Sequence, residues 1–217
     1  MATRVPLPNG SIVQVANTLS AAKPITAITN AVPAVVTSAA HGLSNGDLVL
    51  LTSGWGKLDN RVARVAGVTT DSFQLEKVDT SNLTFYTPNG GVGSFVKVMT
   101  RTEITKITDF TTSGGEQQFL TVTYLSEDDD RQFPTSRSPM SCSITVQDEP
   151  DAPYVPVVEG YGEAKLGTAL LVILPSGSMI LMPGFVSMSQ VPTMSRSQLM
   201  TRVISFSLSS RITRYNA

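Results

Sequence analysis

Short runs of β-branched and apolar residues recur along the whole chain, and several of them alternate with polar residues. The run Ser141-Cys142-Ser143-Ile144-Thr145-Val146 shows the alternation most clearly. A period of two is typical of a strand with one buried face. The pattern predicts an all-β (mainly β) fold with strands at residues 12–15, 48–51, 73–78, 95–99, 104–110, 119–124, 143–146, 169–174, 179–182 and 203–208.

Glycine, proline and asparagine punctuate these runs and predict the turns between the strands. The strongest turn signal is Pro175-Ser176-Gly177, which separates two apolar runs and predicts a β-hairpin. One stretch predicts a short helix, because Val155, Val158, Tyr161 and Leu166 fall on roughly one helical face. Asp151 is the predicted N-cap of that helix.

Residues 24–98 differ from the rest of the chain in charge balance. They carry five acidic and five basic residues, with strands and turns of their own. We therefore predict that they form a small β-barrel module inserted into a host domain made of residues 1–23 and 99–217. Loops accept such insertions where their two ends lie close together. The module is expected to fold autonomously and to lie on the outside of any assembly.

The remaining charges are sorted along the chain, although the net charge is only −1. Residues 103–163 contain twelve acidic and three basic residues, whereas the chain after Glu163 has five basic residues and no acid. Opposite charged patches steer and register a contact between copies of one protein. The sorting predicts a protein that docks on itself.

Four consecutive acids, Glu127-Asp128-Asp129-Asp130, form the most acidic point of the sequence. Three interpretations are open: a solvated turn, an electronegative functional surface, or a metal site. A calcium loop places its ligands at alternating positions around a glycine turn, and this run lacks that spacing. We therefore predict no metal.

Residues that carry catalysis are scarce. The chain has one histidine, His41, and one cysteine, Cys142, and no glycine-rich phosphate loop followed by lysine. A triad or a zinc site needs more such side chains than these. We predict a turn-shaping role for His41, a small strand residue at Cys142, no enzyme activity and no cofactor.

Trp55 leaves two interpretations open. It is either a core aromatic residue of the inserted module, which the sequence favours, or an exposed platform that stacks on sugar. The second interpretation supports an alternative function, a carbohydrate- or cell-surface-binding module. The sequence also has no apolar stretch near the ~20 residues of a membrane span.

Several motifs resemble one family. Residues 101–110, the run Ser113-Gly114-Gly115-Glu116-Gln117-Gln118-Phe119, residues 127–135 and the ending 205–215 resemble the major tail tube proteins of long, non-contractile-tailed bacteriophages. Residues 41–73 are similar to a small β-barrel module found in many phage tail proteins.

The resemblance implies two packed β-sheets with one flanking helix. It also implies hexameric rings that stack into a hollow tube, through which DNA passes without specific binding. The expected partners are further copies of the chain and the tape-measure, tail tip and tail terminator proteins. The expected location is the virion tail, after a stay in the host cytoplasm.

In such a tube the acidic run has two predicted places. It lines the channel, with either Glu127 and Asp129 or Asp128 and Asp130 on the inner face and Glu116 as a neighbour. Alternatively it lies at a ring-to-ring contact. At that contact the predicted inter-subunit residues are Arg211, Arg214 and Tyr215. Separately, Trp55 is the residue of the insert that is the candidate for an exposed binding surface.

Overall fold

The computed structural model describes residues 9–126 and 128–217. The described part is mainly β, with one short helix, which confirms the predicted all-β class. Its strands are β1 (Ile12–Leu19), β2 (Lys23–Ile25), β3 (Ala27–Ile28), β4 (Ala34–Thr37), β5 (Leu48–Ser53), β6 (Val62–Ala66), β7 (Ser72–Leu75), β8 (Gly93–Ile104), β9 (Ile107–Ser113), β10 (Gln117–Val122), β11 (Arg131–Arg137), β12 (Ser141–Gln147), β13 (Thr168–Ile173), β14 (Met179–Met188), β15 (Thr201–Leu208) and β16 (Thr213–Tyr215). The helix α1 spans Val155–Ala164.

Hydrogen-bonded pairings join most strands into one continuous path, with the order β3-β4-β7-β6-β5-β8-β1-β13-β14-β15-β12-β9. Strand β16 pairs with β14, and β10 and β11 form a separate two-stranded sheet. The host part runs from β1 to β9 and is antiparallel throughout. Residues of β1 and of β9 border the same cavity, so this part of the sheet curls over on itself.

The inserted part closes on itself. Strand β2 pairs with β8, and β3, which starts two residues later, pairs with β4. The N–H of Thr26, between them, donates to the carbonyl of Thr37 at 3.0 Å. Strands β2 and β3 therefore act as one bent strand that connects the two ends of the insert's sheet, and closure removes its free edges.

Three buried clusters hold the molecule together. The host cluster takes residues from β1, β12, β13, β15 and α1, and the insert cluster centres on aromatic side chains such as Phe73 and Phe95. The third cluster is made by both parts together. It consists of Ala16, Leu48, Val62, Val98, Ala169, Leu171, Leu181 and Tyr215.

Strand β8 crosses the predicted domain boundary without a break. Its first residues pair with β2 and β5 of the insert, and from Val98 onward it pairs with β1 of the host. The predicted boundary at residue 98 therefore lies inside a strand, and the boundary at residue 23 lies inside β2. The division into residues 24–98 and the remainder stays a prediction.

Three local predictions were wrong. Residues 104–110 are not one strand, because Lys106 adopts a φ of 54° and separates β8 from β9. Asp151 does not cap the helix: the N-cap is Tyr154, without a side-chain cap bond. Leu166 lies beyond the helix and is exposed, since the left-handed Lys165 ends α1.

Candidate assembly surfaces

The β10–β11 hairpin leaves the host sheet where β9 ends and β12 begins. Gly114 and Gly115 both have a φ near +80°, a backbone conformation that glycine adopts at little cost. A side chain on Gly114 would collide with the carbonyl oxygen of Pro139. The two glycines therefore set the direction of the hairpin. At its base, Gln117 Nε2 donates to the carbonyls of Thr135 and Ser136, each at 3.2 Å.

Apolar side chains lie on both faces of this hairpin and are exposed. Leu120 is opposite Phe133, and the adjacent Phe119 is opposite Pro134. Because neighbouring strand residues point to opposite faces, one pair lies on each face. Phe119, Leu120 and Phe133 are about half exposed, and Leu125 in the connection between the strands is fully exposed. Exposed apolar clusters of this kind mark interaction sites.

The acidic run lies in the connection between β10 and β11, and its position within this connection corrects one prediction. Glu127 lies outside the described residues. Asp128, Asp129 and Asp130 are exposed and belong to no strand, so the predicted alternation of inner and outer acids is wrong. Asp130 Oδ1 accepts a hydrogen bond from Thr123 Oγ1 at 2.6 Å, which ties the turn to the end of β10. We call residues 128–130 the acidic turn.

Glu116 is exposed but lies at the other end of the hairpin. Its backbone N–H donates to Ser138 Oγ at 3.1 Å, at the base where the strands leave the host. Six residues of β10 separate this base from the acidic turn, a span of ~20 Å. Glu116 is therefore not a neighbour of the acidic turn within one chain.

Arg211 and Arg214 are both exposed, Arg211 on the segment that leads into β16 and Arg214 within β16 itself. Arg214 borders an apolar groove of about 730 Å³ between the β1–β13–β14 side of the host and β9. Arg211 lies close to basic residues of the insert. Burial lowers the pKa of Lys57 and of Arg61, and the positive charge of Arg211 adds to the lowering in both cases. Such a concentration of positive charge favours an acidic neighbour.

Tyr215 is not on the surface, which corrects its prediction as an inter-subunit residue. Its side chain is 0% exposed and belongs to the cluster shared by host and insert. Its hydroxyl group bonds to the backbone of two insert residues, Arg64 and Glu76. Tyr215 therefore joins the two parts of one chain.

Trp55 is also buried, so the prediction of an exposed aromatic platform is wrong and the core interpretation is confirmed. It is 3% exposed and meets Tyr86 edge to face, with ring centroids 5.2 Å apart. Its indole N–H donates to the carbonyl of Thr87 at 2.9 Å. Trp55 therefore cannot serve as the exposed ring that the sugar-stacking hypothesis requires.

The two residues with reactive side chains have structural roles, as predicted. His41 is buried: its Nδ1 accepts the N–H of Leu43 at 3.1 Å, and its Nε2 lies 2.9 Å from the carbonyl oxygen of Thr69. Cys142 is buried in β12, and burial raises the pKa of its thiol to about 11. Thiol chemistry needs the thiolate, so a buried thiol of this kind is inert.

Within residues 9–126 and 128–217, no three or more His, Cys, Asp or Glu side chains are grouped so as to hold a metal ion. The same residues include no helix of the length and apolar character needed to cross a membrane.

A second exposed surface was missed in the sequence. Residues 189–200 connect β14 to β15, and Val191, Met194, Leu199 and Met200 are exposed in this connection. Arg196 is exposed among them. One feature of the sequence could have indicated this surface. The segment has four apolar residues within ten positions, with no acid among them and no strand pattern. We call residues 189–200 the β14–β15 loop.

These features together describe a mainly β protein with exposed apolar surfaces of the kind that mark interaction sites. Residues 53–217 match the model of the family described as phage tail tube protein, TTP. The match spans most of the chain and begins inside the insert. The chain belongs to the phage tail tube protein family and is a structural subunit of a tail tube.

Several solved structures match part of this chain at low sequence identity. A chain in the virion of a native gene transfer agent particle is 13% identical with a TM-score of 0.42, over 53% of this chain and 88% of that one. A chain in the tail of an empty gene transfer agent particle, refined with C6 symmetry, is 13% identical with a TM-score of 0.41, over 52% and 83%. A chain in the tube-terminating cap of the anti-feeding prophage is 15% identical with a TM-score of 0.36, over 49% and 79%. No curated protein matches this chain.

Proposed function

We propose that this protein assembles as hexameric rings that stack into the hollow tube of a long, non-contractile phage tail. Membership of the tail tube family implies a non-enzymatic role in the virion tail. The tube serves as a conduit for DNA, which passes without specific binding. Tape-measure, tail tip and terminator proteins are its proposed partners, and the subunit waits in the host cytoplasm before assembly.

The observation that carries this proposal is the β10–β11 hairpin. A two-stranded hairpin alone is at best marginally stable in water. This one exposes large apolar side chains on both faces, including Leu120 and Phe133. A second copy of the chain that covers the hairpin would remove this surface from water, at ~25 cal/mol for each Å². The hairpin supports self-assembly on grounds independent of the family.

Charge supports the same proposal. The acid-rich middle of the chain and the acid-free end after Glu163 suit contacts between different faces of identical subunits. In a tube, exposed acids that face the channel would repel the DNA phosphates and keep the duplex near the axis. Glu103 and Asp109 are further exposed acids of the host.

Electron microscopy of the purified, concentrated full-length chain tests the proposal. We expect tubes or rings in negative stain, with six subunits in end-on class averages. Leu120→Ser combined with Phe133→Ser should abolish the tubes and leave the far-UV circular dichroism of the subunit unchanged. Leu83→Ser is the matched control, because Leu83 is an equally exposed apolar residue on the insert.

Three results would contradict the proposal at different points. A wild-type protein that stays monomeric at high concentration contradicts self-assembly. End-on averages with another symmetry contradict the hexamer alone. Normal tubes from the hairpin variant contradict the role of the hairpin and leave the tube itself standing.

A further inference from the structure

The β10–β11 hairpin and the β14–β15 loop leave the host sheet at opposite ends. In the pairing of β12 with β15, Ser141 is opposite Ser207 and Gln147 is opposite Thr201. The hairpin joins β12 at Ser141, and the β14–β15 loop joins β15 at Thr201. The seven residues of β12 separate these two ends by about 20 Å.

Each end carries exposed apolar side chains, and the charged residues beside them are acidic at one end and basic at the other. The hairpin end presents Leu125 beside the three carboxylates of the acidic turn. The loop end presents Met194 and its apolar neighbours together with the guanidinium of Arg196, and residues 189–200 include no acid. Flexible methionine side chains fit irregular apolar partners well.

We propose that the connection between β10 and β11 of one subunit docks on the β14–β15 loop of the subunit in the next ring, with the acidic turn against Arg196. This inference rests on the proposed tube. Of the two places predicted for the acids, it assigns residues 128–130 to the ring-to-ring contact. It replaces Arg211 and Arg214 with Arg196 as the cation that they meet.

The arrangement of the two surfaces gives the contact its direction. Two unlike patches on one chain make a heterologous contact, and such a contact repeats without closing when the patches lie at opposite ends. Each subunit then offers one free hairpin end and one free loop end, so rings add in one orientation. The tube is therefore polar, with exposed hairpins at one end and exposed β14–β15 loops at the other.

Charge reversal tests the docking. Arg196→Glu and the pair Asp128→Lys with Asp129→Lys should each place like charges together and raise the critical concentration for tube formation by roughly tenfold or more. The combined variant with all three substitutions should recover most of the wild-type assembly, because the charges are again opposite. Asp71→Lys, an exposed acid at the β6–β7 turn, is the matched control and should assemble normally.

A cysteine pair tests the same contact through geometry. Leu125→Cys combined with Met194→Cys should give a ladder of disulfide-linked multimers when assembled tubes are oxidised, seen on a non-reducing gel. The segments that carry the two sites leave the host sheet at opposite ends, so a ladder reports contact between copies. Leu125→Cys combined with Leu83→Cys, on the insert, should give no ladder.

The failures of the inference and of the proposed function are distinguishable. Normal wild-type tubes that tolerate both charge reversals and give no ladder would overturn the inference alone. In that case the hairpin docks elsewhere, for example on the apolar groove beside Arg214. A wild-type chain that forms no tubes overturns the proposed function, and the inference falls with it.

Discussion

The side-chain hydroxyl of Tyr215 accepts a hydrogen bond from the backbone N–H of Arg64 at 2.9 Å, and so ties the last strand of the chain to the insert. The same hydroxyl donates to the carbonyl oxygen of Glu76 at 3.1 Å. Tyr215 is fully buried in the cluster that host and insert share. The insert is therefore fastened to the host by its core as well as by its connections.

Removal of that hydroxyl should destabilise the protein. Tyr215→Phe leaves the partly buried N–H of Arg64 and carbonyl of Glu76 without their partner, at a cost of about 1–3 kcal/mol. For a chain of this size each kcal/mol lowers the melting temperature by about 2–4 °C. Tyr161→Phe is the control, because the Tyr161 hydroxyl bonds to the carbonyl of Asn17 where water can replace it. Equal melting temperatures for the two variants would contradict the role of Tyr215.

The pKa of Cys142 predicts how the thiol reacts. Burial raises this pKa to about 11, above the ~8.5 of a free cysteine, so the folded protein holds the neutral thiol at pH 8. Between pH ~8.5 and pH about 11, Cys142 is ionised in the unfolded chain but neutral in the folded protein. Its contribution to the free energy of unfolding therefore falls as pH rises through this range. Ellman's reagent at pH 8 should react slowly with native protein and rapidly in urea. Fast reaction of the native protein at a rate independent of urea would show that Cys142 is accessible.

A buried ion pair connects β15 to the segment before α1. Arg202 Nε lies 2.7 Å from Asp148 Oδ1, and the two side chains are only 8% and 12% exposed. Asp148→Asn removes the nearer counter-charge of the buried guanidinium and leaves only the Glu159 carboxylate, whose Oε1 lies 3.9 Å from Arg202 Nη1, so we expect a loss of up to ~3–5 kcal/mol in the free energy of unfolding. Glu149→Gln breaks the more exposed Lys106–Glu149 pair and should cost less than about 1 kcal/mol. Urea unfolding of both variants compares them, and similar midpoints would argue against a stabilising Arg202–Asp148 pair.

The Arg64–Glu76 pair predicts an acid-dependent stability. A hydrogen bond from Arg64 lowers the pKa of the Glu76 carboxyl, with the charge of Arg64 as a further cause. A lowered carboxyl pKa adds stability above the unfolded value of ~4.3 and loses it as pH falls through the folded value. Wild type should therefore exceed Glu76→Gln in stability at pH 7, and the difference should shrink below about pH 4. A difference that is constant from pH 7 to pH 3 would exclude this linkage.

Arg211 and Arg214 remain predicted contacts to a neighbouring subunit, and substitution tests them better than truncation. Removal of residues 211–217 would also remove the buried Thr213 and Tyr215, so a failure to assemble would follow from misfolding. Arg211→Glu combined with Arg214→Glu changes only exposed side chains. We expect an unchanged melting temperature and no tubes by electron microscopy. Normal tubes from this variant would show that the two arginines lie outside every contact.

Strands with one buried face were predictable from the sequence. In β12 each apolar residue from Cys142 to Val146 is buried and each polar neighbour is partly exposed, as the alternation predicts. Strand β11 was missed because Arg131–Arg137 includes a proline and has no buried face. Strand β16 was missed because three residues are too few to show a period.

The assembly surfaces were harder to predict. The motif around Phe119 was assigned correctly to a strand, but the sequence does not show that this strand has no core beneath it. The burial of Tyr215 was not predictable, because its partners Arg64 and Glu76 lie about 140 to 150 positions earlier in the chain. The acidic turn follows the strand predicted at residues 119–124, whereas the faces predicted for its acids depended on a strand geometry that it does not have.

Strand β8 has a mechanical consequence for a tail. One unbroken segment of twelve residues pairs with strands of the insert and with β1 of the host, so no loop separates the two parts along β8. A sideways push on the insert would pass along β8 into its ladder with β1, where the paired residues share the load. With β8 shared in this way, each copy would hold its insert in one orientation, and the rotation between successive rings of a tube would give a regular helical pattern of inserts along the tail.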